Sequence, residues 1–335
     1  MSAMATNIRA ALIKAELDTM VVGQIEAKER LSLLLSMHLS WNASKYPLLA
    51  PPNGLIVGPT GSGKTFSIQV ASNFLNIPFL VVDSTTLVPS GARNGNTVEW
   101  VNERLDELIS ESRYAATQEY ADSTSPSPSN LPKKAIVFFD EFDKLAIRPD
   151  DPNRQWKSDV QRMLLKFVEG QYGSQPGAVT RGLLVLVGGA FVGIDGPENI
   201  RKRRPEVASL LRSAPKKTLV ADDVVNFGFM PEMVARLPAI IQYELLAEDA
   251  LLRILQHEQT SPLLVWKAHF EQLGKQLVFS DGFMQAVARR AAAVQMGARA
   301  LQQIVFPALS RKAYAFEDAC EAIIEVTEAV LDYKD

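Results

Sequence analysis

Leu55-Ile-Val-Gly58-Pro-Thr-Gly61-Ser62-Gly63-Lys64-Thr65-Phe66 decides the fold. Leu55-Ile56-Val57 is a short apolar run after Pro51-Pro52, which reads as a buried strand. Phe66 to Leu75 then has the pattern of a helix. Between them stands Gly58-x4-Gly63-Lys64-Thr65, a phosphate-cradling P-loop in the setting its mechanism requires, after a strand and before a helix. The glycines Gly61 and Gly63, with Ser62, let backbone N–H groups close around phosphate oxygens at the positive end of a helix dipole. Lys64 is placed to reach the β- and γ-phosphates, and Thr65 to ligate Mg²⁺. ATP and Mg²⁺ are therefore the expected cofactors.

Downstream, strands and helices alternate, as in a parallel sheet with crossover helices. Phe79–Val82, Ala135–Phe139 and Leu183–Val187 are the further strand candidates, with helices over Val98–Ile109 and Ser158–Val168. Helical spacing also marks Ile8–Leu17 and Ile25–Leu39, ahead of the P-loop. After Glu244 the pattern turns helical, over Glu248–Gln259, Leu263–Leu273, Gly282–Val294 and Ala298–Ala315, with short apolar runs at Leu277–Phe279 and Ile323–Val326. The expectation is an α/β fold, a P-loop large domain with a parallel sheet over residues 1–245, followed by a smaller, mainly helical lid domain over 246–335. The Ser- and Pro-rich stretch inside 121–132 reads as a disordered loop.

The strand Ala135–Phe139 leads directly into Asp140-Glu141. Ligands of open α/β sheets bind at the carboxyl ends of the strands, so two carboxylates at this point belong beside the P-loop. Asp140 is expected to hold Mg²⁺ and Glu141 to polarise the attacking water.

Composition narrows the alternatives. The 335 residues suffice for two domains, and 47% hydrophobic with 22% charged residues is ordinary for a soluble protein. A net charge of -3 gives no global attraction for nucleic acid or an anionic membrane. Cys320 is the only cysteine and the three histidines lie far apart, which excludes a disulfide framework and an intrachain Cys-x-x-Cys metal site. The apolar stretch Gly182–Ile194 is too short to span a bilayer, and the N-terminus has no secretory pattern, so the expected compartment is the cytoplasm.

Further motifs follow in order: Val22-Gly-Gln24, Pro78-Phe79 with Asp83-Ser-Thr-Thr-Leu87, Asp140-Glu-Phe-Asp-Lys144 and Leu164-Leu-Lys-Phe-Val-Glu-Gly170. Gly188-Gly-Ala-Phe191, Phe229-Met-Pro-Glu-Met-Val-Ala-Arg-Leu-Pro238 and Gly297-Ala-Arg299 complete the set. Together with the P-loop they resemble the successive motifs of the ClpX family of AAA+ ATPases, over most of the chain. The resemblance implies a homo-oligomer, a hexameric ring with nucleotide between neighbouring subunits. It implies that Val21, Val22, Gly23 and Gln24 line the adenine pocket, that Arg236 is an arginine finger for the neighbour's γ-phosphate, and that Arg299 is a second sensor. On the residues alone, both arginines read as surface side chains.

Three departures from that family bear on the task. With Cys320 its only cysteine and its motifs starting with those of the AAA+ module, the sequence is expected to lack the family's zinc-binding domain. No Ile/Leu-Gly-Phe tripeptide occurs in Gly193–Val220, so docking on the ClpP peptidase is not expected. The pore tetrapeptide Gly-Tyr-Val-Gly is replaced by Gly91-Ala-Arg-Asn-Gly95, without the bulky grip. In place of the docking loop lies a basic segment, 201–217, with Glu206 its only acid. The leading expectation is an ATPase that remodels, assembles or disassembles a dedicated client protein without ClpP. The alternatives are an ATPase acting on nucleic acid through the basic segment and Arg93, or a structural ring.

Overall fold

The computed structural model describes residues 9–41, 45, 50–89, 95–119, 134–170, 183–196, 199, 202–203 and 218–332, with side chains to 112 in the helix that ends at Glu119. The segment 121–132, residues 91–94 of the pore stretch, and all of 201–217 except Lys202 and Arg203 lie outside them. The chain divides into two compact units. One comprises Met1–Leu17, Ile25–Val57 and Thr65–Gln242, and the other Asp18–Gln24, Gly58–Lys64 and Tyr243–Asp335.

The first unit is a parallel α/β layer. Its strands are β1 (Gly54–Val57), β2 (Phe79–Asp83), β3 (Ala135–Asp140), β4 (Leu183–Gly189) and β5 (Ala239–Gln242), in the order β2-β3-β4-β1-β5. All four pairings are parallel. Burial follows that order. Every residue of β1 and β4 is buried, whereas the edge strand β2 alternates. Continuous apolar runs are what a sheet covered on both faces requires. The helices α1 (Ala10–Met20) and α2 (Ile25–Ser40) precede the sheet, while α3 (Lys64–Leu75), α4 (Val98–Glu119) and α5 (Arg154–Val168) connect its strands. Two short helices that the sequence pattern did not resolve, α6 (Ala221–Phe227) and α7 (Pro231–Ala235), lead into β5.

Lys134 closes the C-terminal end of α2. Its ammonium donates to the carbonyls of His38, Leu39 and Trp41, satisfying acceptors the helix leaves open. Burial lowers the pKa of this lysine.

The second unit is helical with one small sheet. Helices α8 (Glu248–Gln256), α9 (Leu264–Gln272), α10 (Asp281–Val294) and α11 (Arg299–Asp318) surround the parallel pair β6 (Gln276–Phe279) and β7 (Ile323–Val326). Leu251, Phe270, Phe283, Val287, Leu301 and Val326 form the centre of its core. Ser280 caps α10 by accepting the Phe283 N–H at 3.2 Å. Lys275 closes α11 through the carbonyls of Phe316, Glu317 and Ala319.

Candidate active site

Five buried apolar residues of β3 carry the chain to half-buried Asp140 and exposed Glu141. Both Asp140 oxygens are engaged. Oδ1 accepts the Glu141 backbone N–H at 2.9 Å, and Oδ2 accepts the Thr65 hydroxyl at 3.1 Å. Glu141 sits in the left-handed backbone region at φ 54°, a conformation that costs a non-glycine residue on the order of 1 kcal/mol. The turn after it supplies the restraint. The Glu141 carbonyl accepts the Lys144 N–H at 3.0 Å, and Phe142, fully buried, stacks on Phe229 at 4.7 Å. The Glu141 carboxylate is thus exposed to solvent on a backbone that a packed turn restrains.

The end of β4 lies against the same turn. A Cβ on Gly189 would overlap Asp143 Oδ1 and stand 2.8 Å from its carboxyl carbon. Glycine at 189 therefore lets Asp143 pack directly on the strand end. Both residues stand in quoted motifs, but their mutual contact has no signature in sequence spacing.

Gly58–Lys64 of the P-loop belong to the second unit. Gly61 has φ 72°, and Ala298 donates its N–H to the Gly61 carbonyl at 2.9 Å. A Cβ at 61 would stand 3.1 Å from that nitrogen and 3.2 Å from the Arg299 nitrogen, besides overlapping the Met296 carbonyl oxygen. Only glycine allows Gly297-Ala-Arg299 to dock on the loop through its backbone. Lys64 is buried, and its Nζ donates to the Gly58 and Pro59 carbonyls at 2.6 and 2.9 Å. Gln24 donates to the Ser62 carbonyl at 3.1 Å. Val21 is buried with Cγ1 3.9 Å from where a Gly63 Cβ would stand, and Val22 packs against the helical core.

Val21, Val22, Gly61, Ser62, Gly63, Lys64 and Arg299 are thus gathered in one unit, and Thr65, Asp140 and Glu141 in the other. Lys64 and Thr65 are successive residues of α3, at its N-terminus. Arg236 takes a separate position at the C-terminal end of α7, paired with Glu169. Gln24 and Glu169 both stand in the motifs that carry the resemblance, but no sequence spacing pairs Gln24 with Ser62 or Glu169 with Arg236.

The donor set fits Mg²⁺ held in part by a nucleotide. Thr65 Oγ1 and Asp140 Oδ2 are hard oxygen donors already within contact of each other. Among the described residues no group of three or more His, Cys, Asp or Glu is placed to hold a metal. Mg²⁺ commonly takes one or two protein oxygens and completes its shell with phosphates and water.

Residues 52–240 match the AAA domain (Cdc48 subfamily). ATP-dependent Clp protease ATP-binding subunit ClpX 2 of Wolinella succinogenes is 31% identical over 308 residues, covering 86% of this chain and 73% of that protein. The chain belongs to the ClpX family of AAA+ ATPases. ClpX of Azotobacter vinelandii is 29% identical over 338 residues, covering 89% of this chain and 72% of the relative. ClpX of Borrelia duttonii is 28% identical over 324 residues, covering 88% and 71%. This ClpX-family protein is an ATPase, and its α/β unit with a five-stranded parallel sheet is that of an AAA+ P-loop fold. No helix among its described residues is long and apolar enough to cross a membrane.

One member of the basic segment has a structural task. Arg203 forms a fork with Asp223, Nε to Oδ1 and Nη2 to Oδ2, both at 2.6 Å, and also donates to the Thr218 carbonyl. Its side chain is 9% exposed and that of Asp223 is 0% exposed. Arg203 is therefore withdrawn from any phosphate-binding surface that the run 201–204 suggested. Lys202 is exposed.

Proposed function

We propose that this ClpX-family ATPase works as a homo-oligomeric ring, hexameric by family, that uses Mg²⁺-dependent ATP hydrolysis to remodel, assemble or disassemble a dedicated client protein in the cytoplasm without the ClpP peptidase. The observation that carries the enzymatic part is the Thr65–Asp140–Glu141 arrangement. It sets a hydroxyl and a carboxylate together for a cation, with a second carboxylate fixed beside them.

Bound MgATP supplies the phosphoanhydride to be broken. Lys64 turns its ammonium from the Gly58 and Pro59 carbonyls to the phosphates, and the backbone of Gly61, Ser62 and Gly63 donates to them. Glu141 accepts a proton from the attacking water. Arg236 acts at the neighbour's nucleotide and Arg299 at that of its own subunit, each through a guanidinium that stays charged and can pair two oxygens. Val21 and Val22 contact the base. The corresponding functional division is residues 1–245 and 246–335.

The absence of an Ile/Leu-Gly-Phe tripeptide between Gly193 and Val220 supports independence from ClpP. The curated relatives are named as ATP-binding subunits of a Clp protease, so the decisive comparison is with that activity. Glu141→Gln is expected to bind ATP, hydrolyse it at least about a hundredfold more slowly, and hold a client in an ATP-dependent complex. Wild-type protein mixed with ClpP is expected to leave that client undegraded. ATP-dependent proteolysis of the client would overturn the peptidase-independent reading, and undiminished hydrolysis by Glu141→Gln would overturn the assignment of the base.

A further inference from the structure

The Arg236 side chain is 56% exposed, so burial does not dictate its direction. It is nevertheless fixed. Nε and Nη2 both donate to Glu169 Oε1, at 3.0 and 2.7 Å. Those two donors share one edge of the guanidinium, which leaves the two Nη1 N–H groups and one on Nη2 to meet another group. An exposed ion pair of this kind contributes little to folding, about 0–1 kcal/mol. Its physical consequence is orientation, because it restrains a long side chain that otherwise samples many rotamers.

Glu169 is itself held on a rigid support. It is the C-terminal cap of α5, with its N–H directed to the Leu165 and Phe167 carbonyls, and its side chain is 21% exposed. Phe167, two residues earlier, is buried edge-on against Phe139 with centroids 5.6 Å apart. Phe139 immediately precedes Asp140. A continuous packed path therefore runs within the first unit from the acidic end of β3, through the Phe139–Phe167 pair, to Glu169 and Arg236.

We propose that Glu169 is a positioning residue for Arg236. It presents the outer edge of the guanidinium to the nucleotide of the adjacent subunit and ties that presentation to the β3 end of its own subunit. This rests on the reading of Arg236 as a residue acting at the neighbour's nucleotide. Glu169 does not touch the reacting atoms; its contribution passes through Arg236.

The test is a double-mutant cycle on steady-state ATP turnover by the full chain, with fluorescent ADP binding and thermal unfolding measured on the same samples. Glu169→Gln is expected to lower kcat about tenfold, with ADP affinity and unfolding midpoint unchanged. Glu169→Asp, which keeps the carboxylate on a shorter stem, is expected to recover part of the loss. Arg236→Ala is expected to lower kcat further, and Glu169→Gln in that background is expected to have no additional effect. A full tenfold loss from Glu169→Gln in the Arg236→Ala background would overturn the positioning role, as would unchanged turnover in Glu169→Gln alone. Unchanged turnover in Arg236→Ala would instead overturn the reading of Arg236 on which the proposal rests.

Discussion

Gln24 and Glu244, 220 positions apart in the chain, exchange two hydrogen bonds. The Gln24 amide nitrogen donates to the Glu244 carbonyl at 2.8 Å, and its oxygen accepts the Glu244 N–H at 2.9 Å. The same amide nitrogen donates to Ser62 in the P-loop at 3.1 Å. Gln24 does this from a left-handed backbone, φ 55°, next to Gly23 at φ 71°. One side chain thus joins the turn after α1, the phosphate loop and the start of the helical segment.

Only a side-chain amide offers this combination of donor and acceptor. Gln24→Glu replaces the amide nitrogen with an anionic oxygen facing two carbonyls, whereas Gln24→Ala merely leaves them to water. The expected loss of stability is about 1–3 kcal/mol for Gln24→Glu and less for Gln24→Ala. ATP affinity should fall in the same order. Equilibrium unfolding and fluorescent-nucleotide titration check both, and equal behaviour of the two variants would contradict the hydrogen-bond scheme.

Gly189→Ala places a methyl group where Asp143 Oδ1 now lies. Phe142, Leu145 and the β4 core are buried around it, so the turn has little room to retreat. Overpacking of about 1–3 kcal/mol is expected. Displacement of the turn that holds Glu141 should lower ATP turnover while Lys64-dependent nucleotide binding persists. Thermal unfolding and steady-state hydrolysis together test this. Normal turnover in a destabilised variant would separate Asp143 from the placement of Glu141.

The parts of the fold set by local chemistry were legible in the sequence. Leu55-Ile-Val57, Ala135–Phe139 and Leu183–Val187 are apolar runs because they are inner strands, and their observed extents differ from the reading by at most two residues at an end. The strand at Ile323–Val326 falls where its pattern placed it. Helix α4 runs to Glu119, ten residues past Ile109, because its later turns lack the apolar periodicity that marked its start. The short helices α6 and α7 escaped notice because seven and five residues are too few to establish a period. For the site, Gly-x4-Gly-Lys-Thr and the Asp-Glu pair are contiguous, so their backbone setting could be read directly. Gln24 to Glu244, Gly189 to Asp143 and Arg236 to Glu169 are contacts between distant positions, and nothing in the spacing of one partner specifies the other.

Asp151 offers a pH-dependent check on the segment between the Asp-Glu pair and α5. The hydrogen bond from Lys157, Nζ to Oδ2 at 2.6 Å, lowers its pKa, helped by the Asn153 backbone N–H. Folding therefore favours the ionised carboxylate. Its contribution is fully present above the unfolded value of about 3.9 and is lost as pH falls through the lower folded value. Lys157→Met should move the Asp151 titration upward toward the ordinary carboxylate range, observable by side-chain carboxyl NMR. An unchanged titration would assign the shift to the backbone donor instead.

The Arg203–Asp223 pair gives the sharpest test of the basic segment, because a buried pair and a surface charge respond differently to removal and to salt. Asp223 also accepts the Val220 N–H at 3.0 Å at the start of α6, so its loss strands that donor as well as a buried guanidinium. Asp223→Ala is expected to cost about 3–5 kcal/mol, with little dependence on salt because the pair is shielded from solvent ions. Lys202→Ala, at an exposed site next door, should leave stability unchanged. If Arg203 instead served a phosphate backbone, Arg203→Met would weaken binding to DNA or RNA at low salt and leave the unfolding midpoint intact. The fork geometry predicts the reverse: a large loss of stability, with nucleic-acid mobility the same for wild type and for any Arg203 variant that still folds.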